Sequence, residues 1–290
     1  MNGGTGENLS LLSQALSTVT LENRININYA RYGEGKPLVF IHGAMGDWRS
    51  AAPQWDFFTK HFDCLTYSRR YSYPNANPLN DFNHSALVDA NDLLHLLDYL
   101  KIQKAILVGS SYGGFTALAL AVKARDRVTA VISVEAPMMK YAQNTCKNRK
   151  IVDDFLLRAD EPARRAFENG EDEQGVRILT GGIIGKSPNE IPDDLVYRRM
   201  QNLNAAKSLS LSKDEFPLLA PKELQSLTMP ILLIRGSQTE AIHKVIFNSV
   251  SAEMPHADKA VIEGSGHSVS QQAPEKFNET VISFLNEKLT

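Results

Sequence analysis

A serine and a histidine stand in surroundings that suit nucleophilic catalysis. Residues 109–113 read G-S-S-Y-G and fit the pattern G-x-S-x-G with Ser111 at the centre, and His267 follows a glycine- and serine-rich run at 264–266. A serine hydroxyl is weakly nucleophilic until a base takes its proton, and a neutral imidazole can take it and later return it to the leaving group. We therefore expect Ser111 to be a nucleophile and His267 to be its general base.

Two glutamates are candidates for the acid that orients the histidine. Glu135 follows a predicted strand at 128–134, and Glu240 follows another at 230–234. Pro137 stiffens the turn that carries Glu135, whereas a glutamate that opens a helix has an alternative role as a favourable charge at the helix N-terminus. The sequence favours Glu135 and leaves Glu240 as the alternative acid.

The segment around Ser111 predicts a strand that turns directly into a helix. Residues 105–108 are continuously apolar, as in a buried strand, and residues 112–122 are rich in alanine and leucine, as in a helix packed on a sheet. Such a turn strains its central residue and leaves no room for side chains two positions to either side, where Gly109 and Gly113 stand. The pattern predicts a serine hydroxyl held clear of the sheet, at the positive end of a helix dipole.

The same alternation of strand and helix runs along most of the chain. We expect a hairpin at 17–21 and 25–32, strands at 38–41, 62–67, 105–108, 128–134, 230–234 and 259–262, and helices at 9–16, 51–61, 83–100, 112–122, 241–251 and 274–288. This order predicts a mainly parallel sheet with helices on both faces, whose sites lie beyond the carboxyl ends of the strands. Five candidate side chains lie just past the ends of predicted strands: His42, Ser111, Glu135, Glu240 and His267.

A long stretch between the sixth and seventh predicted strands interrupts this alternation. Residues 138–227 hold charged, helix-favouring segments and no convincing buried strand. Because a structureless loop of that length is implausible in a compact domain, we expect a helical insertion. The predicted organisation is a core at 17–137 and 228–290, a helical cap at 138–227, and an N-terminal extension at 1–16 whose first six residues are disordered.

The composition is that of an ordinary globular protein and excludes several classes of partner. The 290 residues are 43% hydrophobic and 22% charged, with a net charge of -2, so no basic excess indicates nucleic acid binding. No apolar run approaches the roughly 20 residues that span a bilayer, and the first residues lack the pattern of a signal peptide. Cys64 and Cys146 form neither a disulfide framework nor a zinc pattern. We expect a cytoplasmic monomer or homodimer acting on a small molecule.

The remaining histidines give no reason to expect a metal. None of them has a partner at the spacing of a helical zinc motif, and we expect neither a metal nor an organic cofactor. His42 precedes a glycine at a strand end and suits a hydrogen-bonding scaffold. The others are expected to be solvated or packed: His61, His84, His95, His243 and His256.

From about Val19 onward the sequence resembles the α/β-hydrolase family. The resemblance rests on the His42-Gly43 turn, the G-x-S-x-G turn, the acids after strands and the G-x-G-H run at 264–267, in the order serine, acid, histidine that this family uses. It implies an eight-stranded, mostly parallel sheet with a helical cap inserted after strand six. It also implies an oxyanion hole made by the backbone N–H groups of Ala44 and Tyr112, which act where charge develops in the transition state.

The chain departs from the family pattern in two places. Family members most often carry aspartate where this chain has Thr239. Many relatives also read D-x-R-G-x-G-x-S where this chain reads S-R-R-Y-S-Y-P-N from Ser68, so that Arg70 keeps the arginine and tyrosines replace both glycines. The tyrosines either line the mouth of a pocket or pack on the cap. The candidate substrate contacts are Met45, Tyr71 and Tyr73.

These features favour a carboxylic-ester hydrolase (EC 3.1.1) acting on a small to medium, largely apolar substrate. Ser111 would form an acyl-enzyme that water then hydrolyses with His267 as base. The alternatives on the same fold are a lactonase, a C–C hydrolase, a lyase or a cofactor-free oxygen-using enzyme. A different class, a small-molecule receptor with a vestigial triad, is also left open.

Overall fold

One eight-stranded sheet organises the computed structural model, which describes residues 10–289. Its strands are β1 (Ser17–Thr20), β2 (Asn26–Tyr32), β3 (Pro37–Ile41), β4 (Asp63–Tyr67), β5 (Ala105–Ser110), β6 (Val128–Val134), β7 (Ile231–Gly236) and β8 (Asp258–Ile262). They lie in the order β1-β2-β4-β3-β5-β6-β7-β8, and β2 runs antiparallel to both of its neighbours while the other pairs are parallel. The predicted eight-stranded, mostly parallel sheet is confirmed.

Helices cover both faces of this sheet. The α-helices of the described residues are α1 (Ala52–Phe58), α2 (Ala86–Tyr99), α3 (Tyr112–Lys123), α4 (Cys146–Phe155), α5 (Glu161–Glu168), α6 (Asp172–Ile184), α7 (Asp193–Met200), α8 (Leu203–Ser210), α9 (Pro221–Gln225), α10 (Ala241–Glu253), α11 (Val269–Gln272) and α12 (Pro274–Leu289). Short 3-10 turns stand at Leu11–Ser13, Trp48–Ala51, Arg125–Arg127, Met139–Gln143 and Pro188–Glu190, and one π turn stands at Leu156–Asp160.

The strands divide the apolar core into two layers. Along β3, Val39 and Ile41 pack into the layer formed with α2, α3 and α10, while Leu38 and Phe40 pack into the layer formed with α1 and α12. Successive side chains of a strand point to opposite faces, so a continuous apolar run is the pattern of a strand buried on both sides. The layers hold β3 and β5 side by side at the centre of the sheet.

The segment between β6 and β7 is helical throughout its regular structure. It contains α4 to α9 and builds a third apolar cluster of its own, which includes Phe167 and Val176. Met45, from the turn after β3, packs into that cluster and so joins it to the sheet. This arrangement is the one expected of a cap, and the division into a core at 17–137 and 228–290 with a cap at 138–227 stays a prediction.

The N-terminal elements differ from the sequence-based expectation. The helix predicted over 9–16 is only a 3-10 turn at Leu11–Ser13, and the helix predicted over 51–61 ends at Phe58. Isolated short helices are marginal, and these segments are fixed by burying Leu11 and Trp55 rather than by helix length. Disorder predicted for residues 1–6 lies outside the described residues. None of the helices in residues 10–289 is long and apolar enough to cross a membrane.

Candidate active site

Ser111 occupies a strained turn between β5 and α3. Its backbone has φ 53° and ψ −119°, a left-handed conformation that costs a non-glycine residue free energy. A side-chain carbon at Gly109 would lie 2.1 Å from the carbonyl oxygen of Gly113, and one at Gly113 would lie 2.0 Å from the carbonyl oxygen of Ile41. The two glycines are therefore required by close backbone contacts, as the G-x-S-x-G pattern predicts.

The structure brings Ser111, His267 and Glu135 into one hydrogen-bonded row. Nε2 of His267 lies 3.0 Å from Oγ of Ser111, and Nδ1 lies 2.6 Å from Oε2 of Glu135. Because a carboxylate can only accept, Nδ1–H donates to Glu135, which leaves the Nε2 lone pair facing the serine hydroxyl. This tautomer is the one that can take a proton from Ser111.

The carboxylate of Glu135 is buried and receives donors from the neighbouring strand end. The backbone N–H of Gly236 donates to Oε1 over 2.8 Å, and the hydroxyl of Thr239 donates to Oε2 over 2.8 Å. Burial on its own would raise the pKa of Glu135, but the hydrogen bond with His267 and the Gly236 donor outweigh it and hold that pKa below its ordinary value. Thr239, which occupies the usual position of the family's acid, here serves as a donor to a different acid.

The alternative acid, Glu240, faces the cap instead of the histidine. Glu240 is the residue that precedes α10, where its backbone begins the helix. Its carboxylate lies against Gly185, such that a side-chain carbon on that glycine would be 2.2 Å from Oε1 of Glu240. The structure thus places Glu135, and not Glu240, at Nδ1 of His267.

The turn after β3 lies beside the serine. A side-chain carbon on Gly43 would lie 4.0 Å from Oγ of Ser111, so the peptide between Gly43 and Ala44 borders the nucleophile. Tyr112 is the first residue of α3, and the N–H groups of a first helical turn have no partner within the helix. The two backbone N–H groups named from the family resemblance are therefore on elements that meet at Ser111.

His42 supports this turn as a neutral scaffold residue. Its Nδ1–H donates to the Gly43 carbonyl over 2.8 Å, and its Nε2 accepts from the backbone N–H of Arg69 over 2.9 Å. Burial, with the nearby charge of Arg69, lowers the pKa of His42 to about 3. Both ring nitrogens are used in the way that only the neutral Nδ1–H tautomer allows.

Two of the three candidate substrate contacts are buried in the structure, and the third is exposed. Met45 is buried in the apolar cluster of the cap, and Tyr71 is buried with its ring edge-on to His84 at 5.2 Å. Tyr73 is 42% exposed and lies under the Arg49 guanidinium at 4.6 Å. Contact with a substrate stays a prediction for Met45, Tyr71 and Tyr73.

His243 lies in the site, although the sequence did not predict it there. Its ring stacks on His267, with centroids 4.0 Å apart and planes at 23°, and its Nε2–H donates to the Ile183 carbonyl at the end of α6 over 3.0 Å. Burial, reinforced by the charge of His267, lowers the pKa of His243 to about 3. The sequence places it one helical turn after Glu240, and only that proximity to a strand end could have indicated its position.

Three of these residues are close enough to share a cation. The ligand atoms of Glu135, His243 and His267 all lie within 4.8 Å of one another. Both carboxylate oxygens already accept hydrogen bonds, however, and Nε2 of His243 donates to a carbonyl. A cation bound here would compete with the hydrogen bonds that Glu135 accepts and with those that the two ring nitrogens of His267 make to Glu135 and Ser111.

Comparisons with a family profile, with sequence relatives and with a solved structure all identify hydrolases as similar proteins. The profile of the alpha/beta hydrolase fold matches residues 36–274. The chain is 23% identical to Esterase YbfF of Escherichia coli, over 87% of this chain and 93% of that protein, and 23% identical to 3-oxoadipate enol-lactonase 2 of Acinetobacter baylyi, over 91% and 94%. A thermophilic esterase from Thermogutta terrifontis superposes with a TM-score of 0.73 at 20% identity, covering 96% of this chain and all of that one.

The neutral state of His243 predicts a specific pH dependence of stability. The folded-state pKa of about 3 lies below the ordinary value of about 6.5, so between these values the unfolded chain binds a proton that the folded chain does not. This stabilisation is present above pH 6.5 and is lost as the pH falls. From pH 7 to 5, the free energy of unfolding of the wild type should fall faster than that of His243→Phe, by up to about 1.4 kcal/mol per pH unit.

Urea unfolding at pH 7, 6 and 5 measures this difference. The matched control is His256→Phe, because His256 is exposed, and its curve should run parallel to that of the wild type. Parallel curves for wild type and His243→Phe would show that His243 is not held neutral by the fold.

Proposed function

Because the chain belongs to the α/β-hydrolase fold family, we propose that it is a serine hydrolase that cleaves carboxylic esters of small to medium, largely apolar substrates. The observation that carries the proposal is the row of hydrogen bonds from Ser111 through His267 to Glu135, held at the strained turn after β5. The similarity to proteins named as esterases supports the same reaction class.

The proposed reaction follows from the orientation of these groups. His267 takes the proton of Ser111 as the hydroxyl attacks the ester carbonyl, and then gives it to the leaving alcohol. The backbone N–H groups of Ala44 and Tyr112 donate to the oxyanion that forms. Water then attacks the acyl-enzyme with His267 again as base, and Glu135 holds the imidazole in the required tautomer and stabilises its positive form.

A second candidate substrate class is one that carries a carboxylate, as in the substrate named for the similar enol-lactonase. Arg199, near the end of α7, reaches Sδ of Met45 over 3.7 Å, and Met45 adjoins the proposed oxyanion residue Ala44. Within residues 10–289, no carboxylate lies within salt-bridge distance of Arg199, and burial, with the charge of Arg198, lowers its pKa to about 10. Arg199 is half-buried and has no carboxylate partner among the described residues, and an anionic substrate group would supply one.

Ser111→Ala tests the proposed function. It should lower kcat for p-nitrophenyl butyrate by at least about a thousandfold, since loss of a triad member leaves only oxyanion stabilisation and binding. The wild type should also be labelled at Ser111 by a fluorophosphonate. Thermal melting checks that the variant folds. Near-wild-type turnover in Ser111→Ala, or labelling at another residue, would contradict the assignment.

The two candidate acids are separated by a pair of isosteric variants. Glu135→Gln should lower kcat by up to about ten-thousandfold, because an amide favours the wrong tautomer of the histidine. Glu240→Gln is the matched control and should change kcat little, since its side chain lies against Gly185 in the cap. Steady-state kinetics of both variants on one ester decides, and a collapse in Glu240→Gln alone would place the acid after β7.

The carboxylate-bearing class is tested with two esters of similar size. The wild type should prefer the mono-p-nitrophenyl ester of succinate to p-nitrophenyl butyrate, and Arg199→Met should lower kcat/KM for the succinate ester alone by about ten- to hundredfold, the worth of a hydrogen bond to a charged group. The control is Arg198→Met, whose side chain is 64% exposed. Equal losses for the two esters, or no preference in the wild type, would count against this class.

A further inference from the structure

Arg69 is a buried cation placed directly behind the turn that borders Ser111. It follows β4, and its side chain is only 2% exposed. It forms an ion pair with Asp89 of α2, which is fully buried and also faces His84 at 3.3 Å. The family pattern D-x-R-G-x-G-x-S leaves the position of Arg69 variable, so these contacts belong to this chain and not to that pattern.

The guanidinium contacts both carbonyl groups of the turn. Nη2 of Arg69 donates to the carbonyl oxygens of Gly43 and Ala44, over 3.0 Å in each case. The backbone N–H of Arg69 donates to His42, which in turn donates to Gly43. The guanidinium carbon also lies 5.3 Å from the centre of the Tyr112 ring. Arg69 therefore touches both segments whose N–H groups face the proposed oxyanion.

Contacts to the Gly43 carbonyl also determine the direction of the Ala44 N–H, because the two groups belong to one peptide. The carbonyl of Gly43 and the N–H of Ala44 belong to the same planar, trans peptide, so they point in opposite directions. Fixing the carbonyl toward Arg69 and His42 therefore fixes the direction of the N–H as well. The turn lies against the nucleophile, since a side-chain carbon on Gly43 would lie 3.4 Å from Cβ of Ser111. We propose that Arg69 is a positioning residue that aims and polarises the Ala44 N–H toward the oxyanion formed at Ser111.

The polarisation follows from the charge of the guanidinium. A carbonyl that accepts from a cation and from an imidazole N–H carries more negative charge, which leaves its peptide N–H a stronger donor. The Ala44 N–H thus gains strength where negative charge develops during attack. Asp89 keeps Arg69 in place and balances its charge while no oxyanion is present.

A matched ion pair in the same loop separates this role from a structural one. Arg70 pairs with Asp92 through two hydrogen bonds of 2.6 Å, so the same loop is tied to the same helix by a second arginine. Within residues 10–289, the side chain of Arg70 contacts Asp92 and Tyr71 and makes no hydrogen bond to the turn after β3. Because removing one partner of a buried pair leaves a charge uncompensated, both pairs are replaced whole.

The experiment compares Arg69→Met/Asp89→Asn with Arg70→Met/Asp92→Asn, and includes Arg69→Lys, which keeps the buried charge, in case the first does not fold. We measure kcat and KM for p-nitrophenyl butyrate, and inhibition by a trifluoromethyl ketone, which forms an oxyanion adduct with serine, against the matching methyl ketone, which binds as a carbonyl. Loss of the Arg69 pair should lower kcat and trifluoromethyl ketone affinity together, by about ten- to hundredfold, with KM and methyl ketone affinity nearly unchanged. Arg69→Lys should fall between wild type and the double variant.

Several results would overturn the inference. It fails if the two double variants lose kcat equally, if both ketones lose affinity in parallel, or if Arg69→Lys and the Arg69 double variant keep wild-type kcat. The inference rests on the proposed function, but the rate at which a fluorophosphonate labels Ser111 tests it separately, because the attacked phosphoryl oxygen occupies the same hole. If the wild type cleaves no ester, the proposed function fails. The inference about Arg69 is still supported if the fluorophosphonate labels only the Arg69 variants more slowly than the wild type. It is overturned if the wild type and the Arg69 variants are labelled at equal rates.

Discussion

The left-handed backbone of Ser111 is the constraint on which the rest of the site depends. A residue at φ 53° is stable only when its surroundings hold it there, and those surroundings are the packed junction of β5 and α3. That junction requires a backbone approach that Gly109 and Gly113 alone permit. The hydroxyl is therefore fixed relative to the ends of β3, β5 and β6. His267 reaches it from the loop after β8, and the donors to Glu135 come from the end of β7.

The placement of Glu135 shows how a carboxylate can reach the histidine from a strand other than the one that usually carries the family's acid. Glu135 follows β6, whereas two of its donors, Gly236 and Thr239, come from the end of β7. A buried carboxylate needs such donors to remain charged. An aspartate at the position of Thr239 would set two carboxylates against each other, which raises the pKa of one of them. The hydroxyl of Thr239 and the acid after β6 therefore depend on each other, because a hydroxyl can donate to the carboxylate that an aspartate would repel.

Local patterns predicted the sheet and the turn because their signals lie within a few residues. The glycines around Ser111 and the apolar strands are short-range features, and the order of serine, acid and histidine can be read directly along the chain. The roles of Arg69 and His243 could not be predicted in this way. Arg69 is defined by Gly43, Ala44 and Asp89, which reach it from other elements, and His243 by a carbonyl 60 residues away. Both are buried polar groups whose partners only the tertiary fold selects.

A similar limit applies to the N-terminal helices. Their composition favours helix, but their length is set by which apolar side chains the sheet can bury, and this is a property of packing. In place of the helix predicted over 9–16, the structure therefore has only a 3-10 turn that buries Leu11.

The helical insertion meets the core at residues that border the proposed chemistry. Ile183 accepts from His243, the carbonyl of Glu215 accepts from the hydroxyl of Tyr112, and Asn202 donates to Asp47 over 2.9 Å. His243 stacks on His267, and Tyr112 and Asp47 belong to the segments that carry the proposed oxyanion N–H groups. The position of the insertion and the electrostatics of the site are consequently coupled.

The stacking of His243 on His267 indicates which charge state the insertion favours. In the proposed reaction His267 becomes positively charged, and a second positive ring at 4.0 Å would oppose that change. Burial beneath α6 keeps His243 neutral, with a pKa of about 3. An insertion that moved away would return His243 to water, where a histidine takes up a proton near physiological pH. Contact with the insertion is thus what keeps a competing charge away from the histidine that we propose as the base for Ser111.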